Sequence, residues 1–301
     1  MNRRHIIGGS LLGSIVSLAL CAKSAYAADP WIARPLTLPP LHLSADVGLG
    51  FAQYRDGVNS DGTYNHSLGS GSNLEAAVGL PILGEVGVRT GARFGDGGKA
   101  SGADAFGRLF DKQTVGQGPD TFANPEVFLR GTLLDLEMVA IGLDTRFVLP
   151  LASDTSTTVP GPTPGTTQKL EVNDSYFSWV PGVPVRVRIP NLARIDTGIY
   201  IPFQFAEKTI YAVDIPAHLW FQSGDIFFGP LVGVRFSHNP LVVGDEDKGD
   251  IRLGFGGGYT VAGFVDLKAQ LYANSINHEP DKGGSWTNTI GFGLGAGINI
   301  P

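Results

Sequence analysis

Glu85-Val86-Gly87-Val88-Arg89-Thr90-Gly91-Ala92-Arg93-Phe94 sorts its residues by parity. Val86, Val88, Thr90, Ala92 and Phe94 share one parity, and Glu85, Arg89 and Arg93 share the other. A period of two belongs to an extended strand, whose successive side chains point to opposite faces. This strand therefore has an apolar face and a charged, glycine-bearing face. Eleven more stretches read the same way, which predicts twelve strands over 41–54, 73–81, 85–94, 125–134, 137–149, 175–189, 193–205, 212–222, 226–236, 250–259, 263–273 and 286–300. Each is close to the ten or so residues that a tilted strand needs to cross a bilayer.

The connections alternate between two kinds. Five are tight, around Pro81–Gly84, Leu134–Leu136, Pro190–Leu192, Ser223–Asp225 and Thr260–Ala262. The other six are mostly long and polar: 55–72, 95–124, 150–174, 206–211, 237–249 and 274–285. Long loops on one rim, short turns on the other and an even strand count describe a closed up-and-down barrel with both termini on the short-turn side. A β-sandwich has no reason to sort its connections in this way.

The two faces say which side meets what. One carries Leu43, Val47, Leu49, Val88, Leu129, Leu143, Ile199, Val232, Leu253, Leu267 and Leu294, while the other carries charge and many of the 42 glycines. Twelve strands closed with the apolar face inward would enclose more space than those side chains can fill. With the apolar face toward lipid that difficulty disappears, and closure then satisfies every backbone group in the hydrocarbon. On the apolar face the aromatics gather near strand ends: Phe51, Phe94, Phe147, Phe177, Trp179, Phe203, Phe205, Phe236 and Trp286 toward the long loops, and Phe221, Phe228, Tyr259 and Phe264 toward the short turns. Two such belts are what the membrane interfaces select.

At the N-terminus, Arg3 and Arg4 precede the apolar run 6–20, and Ala25-Tyr26-Ala27 follows it. This pattern predicts a signal peptide over 1–27, with an apolar run too short to span a bilayer. Its removal would take the only cysteine, Cys21, and leave 19 basic against 28 acidic residues. A chain without thiols has no disulfide, no thiolate metal site and no cysteine nucleophile, and an acidic balance argues against nucleic acid as a partner. Residues 28–40 hold Pro30, Pro35, Pro39 and Pro40 and read as an extended lead-in that cannot join a ladder regularly; the barrel is expected over 41–301.

The leader, the twelve alternating strands, the loop asymmetry and the belts together resemble a Gram-negative outer-membrane β-barrel of the porin-like or passive-transporter kind. The resemblance covers nearly the whole chain after the leader and rests on architecture rather than on any signature motif. It implies an all-β transmembrane fold in the bacterial outer membrane, with outer-membrane lipid, lipopolysaccharide and the barrel-assembly machinery as partners, and passive movement of small polar solutes without a cofactor. One departure concerns the ending, Ile298-Asn299-Ile300-Pro301, where such barrels usually finish on an aromatic residue.

The inward parity supplies the candidate pore lining: Arg89, Arg93, Arg130, Arg146, Arg186, Arg188 and Arg194 as bases, and Glu85, Glu126, Asp144, Asp196, Asp214 and Asp266 as acids. The bases concentrate on the third to seventh strands. Either they form a basic wall facing a more acidic one, or they pair with acids on neighbouring strands, Arg130 with Asp144 for example. In the second long loop Phe106, Leu109 and Phe110 would share a helical face around Arg108, making that segment a candidate constriction or else an outward loop. The third loop, rich in Thr and Pro, reads as flexible and solvated, and Gly244–Asp247 as a plain solvated loop or a weak divalent-cation site.

No enzyme or metal site stands out. The histidines lie on different strands and loops without ligand spacing, and the GFGLGA run at 291–296 lacks the following helix that a nucleotide site needs. His66-Ser67 and Ser237-His238-Asn239 hold the letters of a lipase without its placement. A solute channel is therefore the leading expectation. A narrow or closed barrel that anchors or adheres through its loops is the alternative, and an outer-membrane lipase the third.

Overall fold

The computed structural model describes residues 29–58, 64–82, 84–94, 121–151, 155–160, 167–172, 177–205, 208–238, 247–274, 276–277 and 287–300. Strands β1 (Leu43–Val58), β2 (Tyr64–Leu80), β3 (Gly84–Phe94), β4 (Thr121–Asp135) and β5 (Val139–Val148) form antiparallel hairpins in sequence order. A separate ribbon follows, β6 (Thr155–Pro160) paired with β7 (Thr167–Val172). The wall resumes with β8 (Ser178–Ile189), β9 (Ala193–Tyr200), the short β10 (Phe203–Phe205), β11 (Thr209–Ser223), β12 (Ile226–His238), β13 (Asp247–Val261), β14 (Val265–Asn274) and β15 (Thr287–Ile300).

β9 and β10 are one wall strand interrupted at Ile201–Pro202, where proline has no N–H to give to a ladder. β9 pairs with β8 and β11, and β10 pairs with the same two neighbours further along. The ring closes through β1 and β15, which run opposite each other from Leu43 and Ile300 to Asp56 and Thr287. This is a closed antiparallel barrel of twelve wall strands, as the alternation predicts.

Accessibility assigns the faces. Leu43, Leu49, Val88, Leu143, Ile199, Leu253, Leu267 and Leu294 are exposed on the outside, whereas Glu85, Arg89, Asp144, Arg146, Arg194, Asp214, Asp250, Arg252, Asp266 and Lys268 are buried within. Glu137 sits in the exposed turn between β4 and β5. On the long-loop rim Phe147, Phe177 and Phe205 stack in series with centroids about 6 Å apart, and Trp179 stacks on Phe203.

The inward glycines have a packing reason. Phe128, Tyr200, Phe227 and Tyr272 point inward, and each lies directly opposite a glycine on the next strand: Gly87, Gly182, Gly258 and Gly291. A Cβ at any of the four would stand 2.2–2.4 Å from the ring opposite. Each ring therefore lies flat on bare backbone, the usual way a sheet accommodates an aromatic beside glycine.

Three expectations need correction. The first connection is shorter than 55–72, because β1 runs to Val58 and β2 begins at Tyr64; the alternation there is masked by Ser, Gly and Asn on both faces. The third loop, expected to be flexible and solvated, contains the β6–β7 ribbon with Thr155 opposite Val172. Lastly, residues 29–42 are more than a lead-in. Trp31–Ala33 form a 3-10 turn, and Trp31, Ile32, Leu36 and Thr37 are buried inside the barrel.

Candidate functional site: a strap across the short-turn mouth

Residues 29–42, the strap, enter the lumen among the short turns and cross it. Trp31 is the anchor at one end: its ring stacks on Phe227 of β12, centroids 4.2 Å apart and planes within 7°, and meets Trp220 of β11 edge-on at 5.9 Å. Three cations surround the same ring, with Arg194 at 4.9 Å, Arg34 at 5.0 Å and Lys268 at 5.8 Å. A desolvated cation over an indole face contributes roughly 1–2 kcal/mol.

Along the strap, barrel side chains take hold of its main chain. The Ile32 N–H donates to Gln222 Oε1 at 3.0 Å, and the Leu38 N–H donates to Glu85 Oε2 at 2.7 Å. Arg186 Nη1 donates to the Arg34 carbonyl at 2.8 Å and also to that of Pro35, and Arg194 Nη1 donates to the Trp31 carbonyl. Arg34 makes a two-point ion pair with Asp266, 2.5 and 2.9 Å, and the Thr37 hydroxyl meets that of Thr132 at 2.9 Å. At the far end Leu41 N–H bonds Gly79 O, 2.9 Å, and Leu41 takes φ +65°, where the chain reverses into β1.

These contacts span the ring. Glu85 on β3 and Phe227 on β12 are six wall strands apart in a ring of twelve, and hence on opposite sides. The strap runs along a diameter. Gly79 shows how closely it lies: a Cβ there would stand 1.8 Å from the Pro39 carbonyl oxygen, so only glycine fits.

Many of the sequence-derived pore residues form ion pairs with a residue on the same strand, the next strand or the one beyond. Arg130 bridges Glu85 (2.8 Å) and Asp144 (3.0 Å), and Asp144 also meets Arg146 at 3.3 Å. Asp196 is shared by Arg186 (2.5 Å) and Arg194 (2.9 Å), next to His218 on β11. Asp214 is shared by Arg252 (3.2 Å) and Arg235 (3.9 Å). Arg188 pairs with Asp135 at the short-turn rim, and Lys268 with Asp46. Arg89 lies opposite both Glu75 and Glu126 in register. Arg93 belongs to β3, but its side chain lies outside the described residues, as do Phe106, Arg108, Leu109 and Phe110 of the candidate constriction. Asp266 takes its ion-pair partner, Arg34, from the strap.

Against the strap lies a cavity of about 210 Å³, lined by Trp31 and Leu36 of the strap and by Arg130, Arg194, Tyr200 and His218 of the wall, among others. Its lining is mostly polar and charged. The Ser237-His238 pair of the lipase pattern ends β12, where the His238 ring packs on Tyr211 at 4.9 Å.

Trp31, Arg34, Gln222 and Phe227 were absent from the sequence-derived site. The available signal was Trp31, Ile32 and Leu36 among four prolines: large apolar residues outside any strand have to be buried somewhere, and the lumen was the remaining place.

No family model matches this sequence, and no curated protein matches it. Solved structures do. The translocator domain of the autotransporter NalP from Neisseria meningitidis superposes with a TM-score of 0.51 at 8% identity, covering 96% of this chain and 95% of that one. The NanC porin superposes with a TM-score of 0.51 at 8% identity, covering 84% of this chain and 98% of that one. The shared feature is the fold, that of an outer-membrane β-barrel.

Proposed function

We propose that this barrel resides in the bacterial outer membrane, short turns toward the periplasm, and passes small hydrophilic solutes by passive diffusion without a cofactor. One observation carries the reading: apart from an aromatic cluster around Trp31 and Trp220, the inward face is rich in charged side chains that form ion pairs with one another, several of them around a polar cavity. Such a lining suits water and polar solutes, whereas a barrel built only to be solid would gain more from an apolar core, because desolvating ion pairs offsets much of their attraction. The fold shared with NanC, a porin, agrees with it.

On this reading the exposed apolar band meets acyl chains, the rims meet lipopolysaccharide and lipid headgroups, and delivery depends on a leader over 1–27 and on the barrel-assembly machinery. Arg130, Arg146, Arg186 and Arg194 together with Glu85, Asp144 and Asp196 line the solute path beside the strap. The strap itself favours a second reading, a closed barrel that acts through its long loops. Refolding residues 28–301 into proteoliposomes and measuring sugar efflux and single-channel conductance separates the two: a channel releases small sugars, and silence in both assays leaves the closed barrel.

A further inference from the structure

We propose that the short-turn half of the lumen is a binding site for an extended, proline-rich peptide, and that residues 29–42 fill it in cis as a displaceable plug. The proposal rests on the channel reading for its conductance readout, but the binding site itself does not.

The manner of recognition supports it. Gln222, Glu85, Arg186 and Arg194 each bond to main-chain groups of the strap, which is how a protein holds an extended peptide largely independently of its sequence. Selectivity comes from two side chains, Trp31 in its nest of Phe227, Trp220 and three cations, and Arg34, three residues on, against Asp266. Pro30, Pro35, Pro39 and Pro40 restrict the main chain on either side of the Trp31–Ala33 turn before the strap docks, which lowers the entropy lost on binding.

The same prolines keep the plug removable. A segment that cannot pair regularly does not become a thirteenth wall strand, so it can leave without breaking a ladder. Its one ladder-like attachment is at the β1 end, where Leu41 N–H bonds Gly79 O and Gly79 N–H bonds His42 O at 2.8 Å. Leu41 there holds a left-handed conformation that costs a branched residue roughly 1–2 kcal/mol relative to the right-handed one, a strain that opposes docking and is relieved on release. The plug lies across a full diameter, from β3 to β12, so solute in the 210 Å³ cavity meets Trp31 and Leu36.

The test uses the chain from residue 28 onward, a form lacking 28–40, and the synthetic peptide PWIARPLTLPP. In planar bilayers the shortened form should conduct several-fold more than the full chain, and the peptide added on the short-turn side should block it, whereas a peptide with Trp31→Ala should not. Equal conductance of the two forms overturns the plug. If neither form conducts, the channel reading fails; the site is then judged by calorimetric titration of the shortened barrel with the peptide, where absence of binding overturns it. Should the shortened form not fold, T37C/T132C in the full chain replaces it, since those hydroxyls are 2.9 Å apart and no cysteine follows residue 21. Openings seen in the reduced protein should vanish on oxidation and return with reductant; unchanged openings overturn the plug.

Discussion

Arg34 of the strap and Asp266 of β14 stand 232 residues apart in the chain and meet as a forked ion pair inside the barrel, with the Asp266 side chain almost wholly buried. The carboxylate also accepts from the Thr260 hydroxyl at 2.8 Å and from Asn299 Nδ2 at 3.1 Å, so β13, β15 and the strap converge on it. Two parallel N–H···O bonds to one carboxylate form the strongest class of charged hydrogen bond and fix the angle at which the strap enters.

Removing only the base should therefore be costly. Arg34→Ala leaves Asp266 buried with neutral donors alone, and breaking a buried pair costs about 3–5 kcal/mol, here nearer the low end because Thr260 and Asn299 remain. Urea titration in phospholipid vesicles should show that loss, and Arg34→Ala combined with Asp266→Asn should recover much of it. If the double variant is as weak as the single one, the pair is not what holds the strap.

The strands were legible because their signal is local. Val86, Val88 and Thr90 opposed to Glu85 and Arg89 announce a two-faced strand within ten residues, and the turns at Asn191 and Gly224, with φ +59° and +60°, are encoded by residues that tolerate that geometry. The first connection is less legible, because Ser, Gly and Asn occupy both parities there and period two loses contrast. The pairing of Arg130 with Asp144 was open to the sequence because the two lie on adjacent strands, opposite each other in register. The strap was not. An extended proline segment has no period, and its partners Gln222, Phe227 and Asp266 come from strands that only closure of the ring brings near.

The outer face supplies an independent check on which side meets lipid. Leu294 lies midway along β15 opposite Leu49, and both are about half exposed. Leu294→Arg should cost about 2–4 kcal/mol in vesicle unfolding, the charge of a cation at mid-bilayer depth, and should slow insertion into vesicles. A penalty near zero would mean that this face does not meet acyl chains.

Tyr272 and Gly291 test the fit of ring on backbone. A Cβ at Gly291 would stand 2.2 Å from Tyr272 Cζ and 2.4 Å from its hydroxyl, whereas one at Gly249 would meet only the Phe236 ring at 3.5 Å. Gly291→Ala should lose about 1–3 kcal/mol by overpacking, while Gly249→Ala should be close to neutral. Adding Tyr272→Leu to Gly291→Ala should restore part of the loss, and the order of the three variants in urea reads the effect directly.

Gly79→Ala reaches the strap without altering its sequence. The added methyl would overlap the Pro39 carbonyl oxygen at 1.8 Å, a backbone atom that can move only if the strap lifts from β2. Gly79 lies opposite Glu85 in register, and the three atoms nearest the added methyl are all main-chain atoms of the strap. The variant should keep its barrel, read as unchanged far-ultraviolet dichroism and heat-modifiable mobility, yet expose Trp31 to an aqueous quencher more than the parent does. Normal quenching in a well-folded Gly79→Ala barrel would show that the strap does not lie where its contacts with Gly79 put it.

Arg186 and Arg194 join strap and solute path, since both guanidiniums share Asp196 and both donate to strap carbonyls. Glutamine at both positions removes two positive charges from beside the strap and is shorter than the arginine that reaches from the wall to the Trp31 and Arg34 carbonyls. The strap should loosen and the local charge should turn negative, with Asp196 left beside His218. Bilayer recordings should then show higher conductance together with a shift toward cation selectivity, and raising the salt should shrink that shift because screening weakens the field of an uncompensated carboxylate. Conductance that rises with no change in selectivity would place these arginines in the holding of the strap alone, outside the path that ions take.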